Sequence, residues 1–383
     1  MSLFEIIEDK IFDKRIALSP EYVPDNLIGR EKQVKQIASV FAPSLKGDKP
    51  HNAFIYGKTG VGKTAITKYV LLELDQEVKK NQVAVKSAFV NCKQINTTTK
   101  ILKRICNVIA PEVEVPGTGL ATSEYYDKLW KILNSFGGIA IVVLDEADKL
   151  EDDGILYNLS RARENLDITE GYVSILGISN DLTYKERIDA RTLSSFGNKE
   201  FVFPPYDALQ LREILEDRAV IGFREGVIDD EVIPLCAALA AQEHGDARKA
   251  LTLLEYAGEL AVEKGSDHVT EKDVREAQER SEMDRIVEAT KTLPLHQKLV
   301  LLAIVSENMK ETDTNAVYMS YKDLCEKREL KALTKVRVSN FISELDMLGL
   351  ITTRKVYRGR YGHTRTIVPN VTKAKVQAVL SED

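Results

Sequence analysis

Short β-branched apolar runs alternate along the first half of the chain with longer stretches in which apolar residues recur every three or four positions. Ala53–Tyr56, Val83–Cys92, Ile139–Leu144, Val173–Ile178 and Glu200–Phe203 read as strands; the third is a continuous Ile-Ala-Ile-Val-Val-Leu run of the kind buried on both faces of a parallel sheet. Helix-compatible segments lie between them, at about Arg30–Phe41, Ala65–Asp75, Thr98–Ile109, Ser123–Ser135 and the charged stretch Lys149–Tyr172. Such alternation predicts an α/β domain. Pro204-Pro205 stops the last strand and sets a first boundary, so residues 1–205 are expected to form one domain. From Asp207 the pattern becomes wholly helical. Asp207 with Gln210 and Thr270 with Asp273 are helix-start pairs, and Ala247, Ala250, Leu251, Leu254, Ala257 and Ala261 form one apolar stripe. A helical domain over 206–292 follows.

A third pattern occupies 293–383. Leu295–Ser306 is an apolar helix. Ser320-Tyr-Lys-Asp323 predicts the start of a second helix reaching about Glu329, and Thr334 would cap a third. Val338, Phe341, Ile342 and Leu345 form the buried stripe of that third helix, leaving Lys335, Arg337, Ser339 and Asn340 off it. From Thr352 to Pro369, alternating residues around a Gly-rich tip bearing Arg358 and Arg360, with Arg365 beyond, predict a β-hairpin. Two helices, a short turn and a basic hairpin make a winged helix.

Composition narrows the class. At 383 residues, 44% hydrophobic and 29% charged, the chain suits two or three globular domains, and no apolar run is long enough to cross a bilayer. The acidic N-terminus lacks the basic charge of a signal peptide. Cys92, Cys106, Cys236 and Cys325 are scattered with no C-x-x-C pairing, as small buried hydrophobes in a reducing compartment would be. A cytoplasmic protein without a membrane is expected. The net charge of −6 hides an asymmetry: from Lys291 onward there are 16 Lys+Arg against 10 Asp+Glu, and from Lys331 to Lys375 the ratio is 10 to 2. A basic segment on an acidic chain suggests a local polyanion site, although winged helices also dock proteins.

The chemistry sits at strand ends. Gly57-Lys-Thr-Gly60-Val61-Gly62-Lys63-Thr64-Ala65 follows the first strand and opens a helix, the context a phosphate-binding loop requires. Its amides and the helix N-terminus would face phosphate oxygens, Lys63 would reach the β- and γ-phosphates, and Thr64 would hold Mg²⁺. The central strand delivers Asp145-Glu146: Asp145 would complete the Mg²⁺ shell and Glu146 would polarise the attacking water. Without the upstream loop, two acids at a strand end would be unremarkable. Asn180, at the tip of the next strand, would position the lytic water or touch the γ-phosphate, or cap the following helix, and these roles are not exclusive. Arg248 falls in the first turn of a helix, where the dipole disfavours it, so it is either functional or an exposed surface arginine.

In this order, these parts resemble the archaeal replication initiators related to the eukaryotic origin-recognition complex large subunit and its helicase-loading partner, of the AAA+ class. The resemblance runs from Tyr22-Val-Pro24 to the wing. Its most distinctive stretches are Phe203-Pro-Pro-Tyr206, Gly245-Asp-Ala-Arg-Lys-Ala-Leu251 and Ile342-Ser-Glu-Leu-Asp-Met-Leu-Gly-Leu-Ile351. It implies an α/β P-loop core, a helical lid and a C-terminal winged helix, with ATP or ADP and Mg²⁺ bound and hydrolysis slow enough to act as a switch. By resemblance, Asn180 and Arg248 are the first and second sensors, and Arg191 stands where the family has its arginine-finger candidate. Residues 22–30, Val23 among them, would cover the adenine, with Tyr206 at the lid. Lys335, Arg337, Ser339 and Asn340 would enter the major groove of double-stranded origin DNA, and Arg358, Arg360 and Arg365 would touch the minor groove or backbone. A helical insertion, Gly154–Asp167 with Arg161 and Arg163, would add a second DNA contact. The implied partners are origin DNA, the replicative helicase and other initiator paralogues, at the nucleoid. The missing N-terminal BAH-type extension points to a compact prokaryotic member. Two other functions fit the same motifs: a loader acting mainly on protein partners, and a nucleotide-regulated transcription factor.

Overall fold

A computed structural model of the chain describes residues 9–19, 22–24, 26–117, 119–196, 199–306, 311–357, 363–371, 373 and 376–377. Contacts divide it into two compact units, 1–274 and 275–383. In the first, the elements are α1 (Glu31–Phe41), β1 (Ala53–Tyr56), α2 (Lys63–Asn81), β2 (Val85–Asn91), α3 (Thr98–Ile109), α4 (Thr122–Phe136), β3 (Ile139–Asp145), α5 (Gly154–Arg161), β4 (Tyr172–Ser179), α6 (Tyr184–Arg187), α7 (Ala190–Phe196), β5 (Glu200–Val202), α8 (Ala208–Gly222), α9 (Val232–Gln242) and α10 (Ala247–Glu263). Helix α11 (Glu271–Lys291) contains the boundary between the units.

The five strands form one parallel sheet in the order β2-β3-β4-β1-β5. Alternation in the strands splits the core in two. Phe54, Tyr56, Val90, Val142, Leu144 and Ile175 pack with α3, α4 and α5 residues such as Ile101, Leu129 and Leu156. Ala53, Ile55, Ile141, Val143, Leu176 and Ile178 pack on the other side with Ile37 and Phe41 of α1 and Ile66 and Val70 of α2. The register aligns the carboxyl ends: Asn91 lies opposite Asp145, and Tyr56 opposite Ser179. Open parallel sheets bind ligands at that edge, and the loops after β1, β3 and β4 all emerge there.

The two start signals read from sequence are on α8 and, where the Thr270 amide and hydroxyl donate to Asp273 Oδ2, on α11; a third cap, Asp246 on α10, is not among them. Asp207 and Gln210 form a reciprocal capping box on α8, and Asp246 caps α10 by accepting from the Arg248 and Lys249 amides. The stretch 149–172 is less helical than its composition suggests. Only α5 forms, with Ile155, Leu156 and Leu159 buried, and turns occupy the residues beyond it, including Leu166 at φ 65°.

In the second unit, α12 (Leu295–Ser306), β6 (Thr312–Asp313), α13 (Thr314–Glu326), α14 (Lys335–Met347), β7 (Ile351–Tyr357) and β8 (His363–Pro369) form a helical cluster with a small antiparallel sheet ordered β6-β8-β7. Val338, Phe341, Ile342 and Leu345 of α14 are buried with α12, as the stripe requires. One boundary is corrected. The second helix begins at Thr314, not Ser320, because the Asp313 carboxylate accepts from the Asn315 and Ala316 amides (2.8 and 3.0 Å) and caps it there. Ser320–Asp323 therefore lies inside α13. Strand β6, two residues paired with β8, had no signal in the alternation.

Candidate nucleotide site and nucleic-acid surface

A cavity of about 790 Å³ opens in the first unit, wide enough for a nucleoside triphosphate. Gly60, Gly62, Lys63, Thr64 and Ala65 line it, as do Asp145 and Glu146, Asn180, Arg248, and Val23 and Tyr206. The sequence-chosen residues thus converge from six separate segments. Gly57 and Val61 do not reach the wall. Val61 is wholly buried, and both act through their carbonyls: Gly57 O accepts from Lys63 Nζ and Val61 O from Arg30 Nε.

The loop geometry follows from its glycines. Gly60 and Gly62 sit at φ 77° and 89°, a region that costs other residues strain. A Cβ on Gly60 would meet Asp246 Oδ1 at 1.8 Å, and one on Gly62 the Tyr206 hydroxyl at 2.6 Å. Lys63, 6% exposed, donates to the carbonyls of Gly57 (2.6 Å) and Lys58 (2.7 Å) and to Asn180 Oδ1 (2.8 Å). Burial lowers its ammonium to about 8 although Asp145 pulls the other way, so an incoming phosphate would restore the charged form. Thr64 Oγ1 donates to both Asp145 oxygens at 3.1–3.2 Å. Asp145 is 4% exposed and burial raises its pKa, the condition a bound cation would relieve. One carboxylate and one hydroxyl suit Mg²⁺, which completes its shell with phosphates and water. Glu146 holds a left-handed backbone (φ 54°, ψ 45°), rare for a side chain of this kind and frequent at active sites.

The structure adds residues that the sequence did not single out. Asp148 accepts from Ser179 Oγ (3.0 Å) and from the Asn180 amide (3.2 Å), fixing the strand tip that presents Asn180. Burial pushes the Asp148 carboxyl up, but these bonds and Lys149 outweigh it and the net displacement is downward. Arg30, 2% exposed, donates to Gly29 O, Val61 O and Pro204 O and stacks 3.8 Å from the Tyr206 ring centroid. Arg218 is also buried, donates to Ala17 O at 2.9 Å and lies over Tyr22. An arginine destined for burial has no mark in a one-dimensional pattern, which is why both were missed.

Arg191 is not brought to this cavity. It starts α7 with its side chain 80% exposed and pairs with Asp189 at 3.1 Å. Arg163 is committed elsewhere: its guanidinium donates to Thr169 O (2.9 Å) and Gly171 O (2.7 Å) and lies over Tyr172, closing the turn after α5. Arg161 is half-buried against the Tyr157 ring and near Glu164.

On the second unit, Thr334 caps α14 by accepting from the Arg337 amide. Lys335, Arg337 and Asn340 are exposed and Ser339 is half-buried; Arg337 lies over Phe341 at 4.7 Å. Arg365 is turned inward, with NH1 donating to Ser343 Oγ of α14 at 2.8 Å. It braces the helix rather than extending the wing. Arg358 and Arg360 lie outside the described residues.

A parallel sheet with a phosphate loop, an acid pair and a polar strand tip, followed by a helical segment and a winged helix, defines an AAA ATPase with a nucleic-acid-type C-terminal module. Comparison with known families agrees: residues 48–182 match an AAA domain, 212–279 the Cdc6 AAA+ ATPase-type lid domain, and 288–379 the CDC6 C-terminal winged-helix domain. The ORC1-type DNA replication protein of Thermococcus kodakarensis is 47% identical over 382 residues, covering 98% of this chain and 92% of its own. The Aeropyrum pernix Orc1 protein, solved in complex with DNA, is 44% identical with a TM-score of 0.79 and 98% of each chain covered. Cdc6p from Pyrobaculum aerophilum, 24% identical, shares the fold with a TM-score of 0.61 over 97% of this chain and 99% of its own. The chain belongs to the family of ORC1-type DNA replication proteins. Among the described residues, no helix is long and apolar enough to cross a membrane.

Proposed function

We propose that this chain is a nucleotide-switched replication initiator that binds duplex DNA at the origin. Residues 1–205 serve as nucleotide-binding core, 206–292 as lid and 293–383 as the DNA-binding part. Lys63 and the loop amides hold the phosphates of ATP or ADP, Thr64 and Asp145 hold Mg²⁺, and Val23 and Tyr206 flank the base. Glu146 takes the proton of the attacking water, while Asn180 and Arg248 stabilise charge on the terminal phosphate. A bound Mg²⁺ would neutralise part of that charge. Hydrolysis is slow, and its role is to set the lid against the core. Lys335, Arg337, Ser339 and Asn340 read the major groove, with Arg161 offering a second contact from the ATPase unit. The protein acts at the nucleoid, with other initiator paralogues and the replicative helicase as partners.

The observation that carries this reading is α14: Lys335, Arg337 and Asn340 are exposed, off a fully packed stripe. The Aeropyrum relative, solved with DNA, supports it. The test is binding of the full chain to origin and random duplexes across a salt series, for wild type and Arg337→Ala. Origin preference that weakens in the variant supports the initiator. Equal binding to both duplexes, untouched by the substitution, would favour a loader that works on proteins.

A further inference from the structure

Arg30 lies at the junction of three segments that the nucleotide reading treats separately. Its fork reaches Val61 O in the phosphate loop (3.2 Å), Pro204 O in the segment joining β5 to α8 (2.6 Å) and Gly29 O beside it (3.2 Å). Its plane stacks on Tyr206 (3.8 Å), whose hydroxyl abuts Gly62 and whose ring lines the cavity. Arg30 itself lines no part of the cavity. No carboxylate lies within ion-pair distance of it among the described residues, Asp207 and Glu31 acting on its charge only from further off, and its short contacts are to backbone carbonyls and Tyr206. That choice of partners is informative. A carboxylate would satisfy the charge wherever the neighbouring segments went. Carbonyls satisfy it only while the segments keep their places, and a buried cation that loses acceptors is strongly penalised. The fork meets these two carbonyls from separate nitrogens, Nε and NH2, whereas an ammonium would have to reach both from a single atom.

From this geometry we infer that Arg30 is a positioning residue that couples the phosphate loop to the core–lid joint. If the Val61 peptide shifts when the loop closes on phosphates, Pro204 and Tyr206 must follow or the guanidinium is left unsatisfied. A second contact runs in parallel: the Ala247 amide, at the start of the helix bearing Arg248, donates to Gly60 O at 3.1 Å. The phosphate loop thus touches the lid helix through the Gly60 carbonyl and Arg30 through the Val61 carbonyl, and Arg30 carries the second contact on to Pro204 and Tyr206.

The inference rests on the nucleotide reading, and the experiment separates the two. All four native cysteines are buried, so cysteines placed at Leu72 on α2 and Val220 on α8, both exposed, accept labels selectively. The α2–α8 label distance is then measured with ADP and with a non-hydrolysable ATP analogue, alongside the Kd of each nucleotide. Arg30→Lys keeps the charge but cannot span both carbonyls. It is expected to bind both nucleotides within about threefold of wild type while losing more than half of the distance change, with kcat falling and KM holding. Arg224→Lys is the control: an arginine that donates to a backbone carbonyl (Phe12 O, 3.3 Å) without a cavity or phosphate-loop contact, and it should keep the change. Should Arg30→Lys fail to fold, the ¹⁵N signal of Arg30 Nε in the wild type decides, and it should move between the two nucleotides. A wild-type-sized distance change in Arg30→Lys, equal losses in the two variants, or a wild-type Nε signal indifferent to nucleotide would each overturn the inference. If the wild type binds neither nucleotide, the nucleotide reading itself fails.

Discussion

The nucleotide site and the exposed face of α14 hold polar groups in opposite ways. In the first, Lys63 already touches Asn180, Thr64 already touches Asp145, and Asp148 fixes the strand tip, all in buried or half-buried positions. On α14, Lys335, Arg337 and Asn340 stand in solvent, and no acid pairs with either cation among the described residues. Preorganised groups in a low-dielectric cleft each carry a large effect and fail as a unit. Exposed cations act additively on phosphates and are screened by salt. Substitutions should therefore be few and severe in one region and graded in the other.

The sharpest break comes from Glu146→Gln. It keeps shape and backbone, so nucleotide binding should hold while steady-state phosphate release falls by about 10²–10⁴, the usual worth of a positioned base. Unchanged turnover would remove Glu146 from the mechanism. Next in size is Lys63→Ala. Losing charge-assisted bonds of ~1.5–3 kcal/mol should weaken ATP and ADP by about 10- to 150-fold in calorimetry. DNA binding by this variant in the absence of nucleotide should stay near wild type, which is the comparison in its plainest form.

Acidity offers a third handle. The free-state ammonium of Lys63 is lowered to about 8 by burial, and phosphate needs the charged form. Nucleotide affinity should be flat below pH 8 and fall as pH rises above it, by up to about tenfold per unit, with proton uptake on binding near pH 8. The sign for folding is opposite. Because the folded pKa lies below the unfolded one, Lys63 contributes stability that increases between about pH 8 and its ordinary value near 10.5. Lys63→Met should remove both trends, in calorimetry at several pH values and in melting curves. Affinity that stays flat up to pH 10 would show that Lys63 keeps its proton.

These contrasts also explain what could be read from sequence. The strands, the phosphate loop and Asp145-Glu146 were legible because local pattern and local chemistry coincide: a β-branched run can only be buried, and glycines at fixed spacing allow one kind of turn. Thr334 was legible for the same reason. Ser320 was not, because a capping pattern competes with every other cap nearby and Asp313 wins. Arg30, Asp148 and the inward turn of Arg365 depend on partners far away in the chain, Pro204, Ser179 and Ser343, which no window along the sequence contains. The division into three parts was visible as changes of pattern, whereas contacts alone separate only two units.

On the DNA side effects should be modest. Arg337→Ala is expected to cost about 1–3 kcal/mol if it reads a base edge, and more on origin than on random DNA. A loss equal on both sequences, with the salt slope reduced by about one, would make it a phosphate contact instead.

The smallest effect tests the arginine that ends α5 and the one that follows it, which the sequence treats alike and the structure does not. Arg163 is held by the Thr169 and Gly171 carbonyls and lies over Tyr172, so its NH1 is spent on the turn. Arg161 has its Nε buried without a hydrogen-bond partner, and Glu164 lies 3.7 Å away, at the edge of an ion pair. Arg163→Ala should lower the melting temperature slightly, by less than ~1 kcal/mol given its exposure, and leave the salt slope of DNA binding unchanged. Arg161→Ala should do the reverse, weakening DNA binding about two- to threefold at low salt with little effect on melting. If neither substitution touches DNA binding, the ATPase unit makes no contact through α5 and α14 is left to carry the duplex without it. If both do, the turn closed by Arg163 is itself part of the surface, and its carbonyl bonds serve to present it.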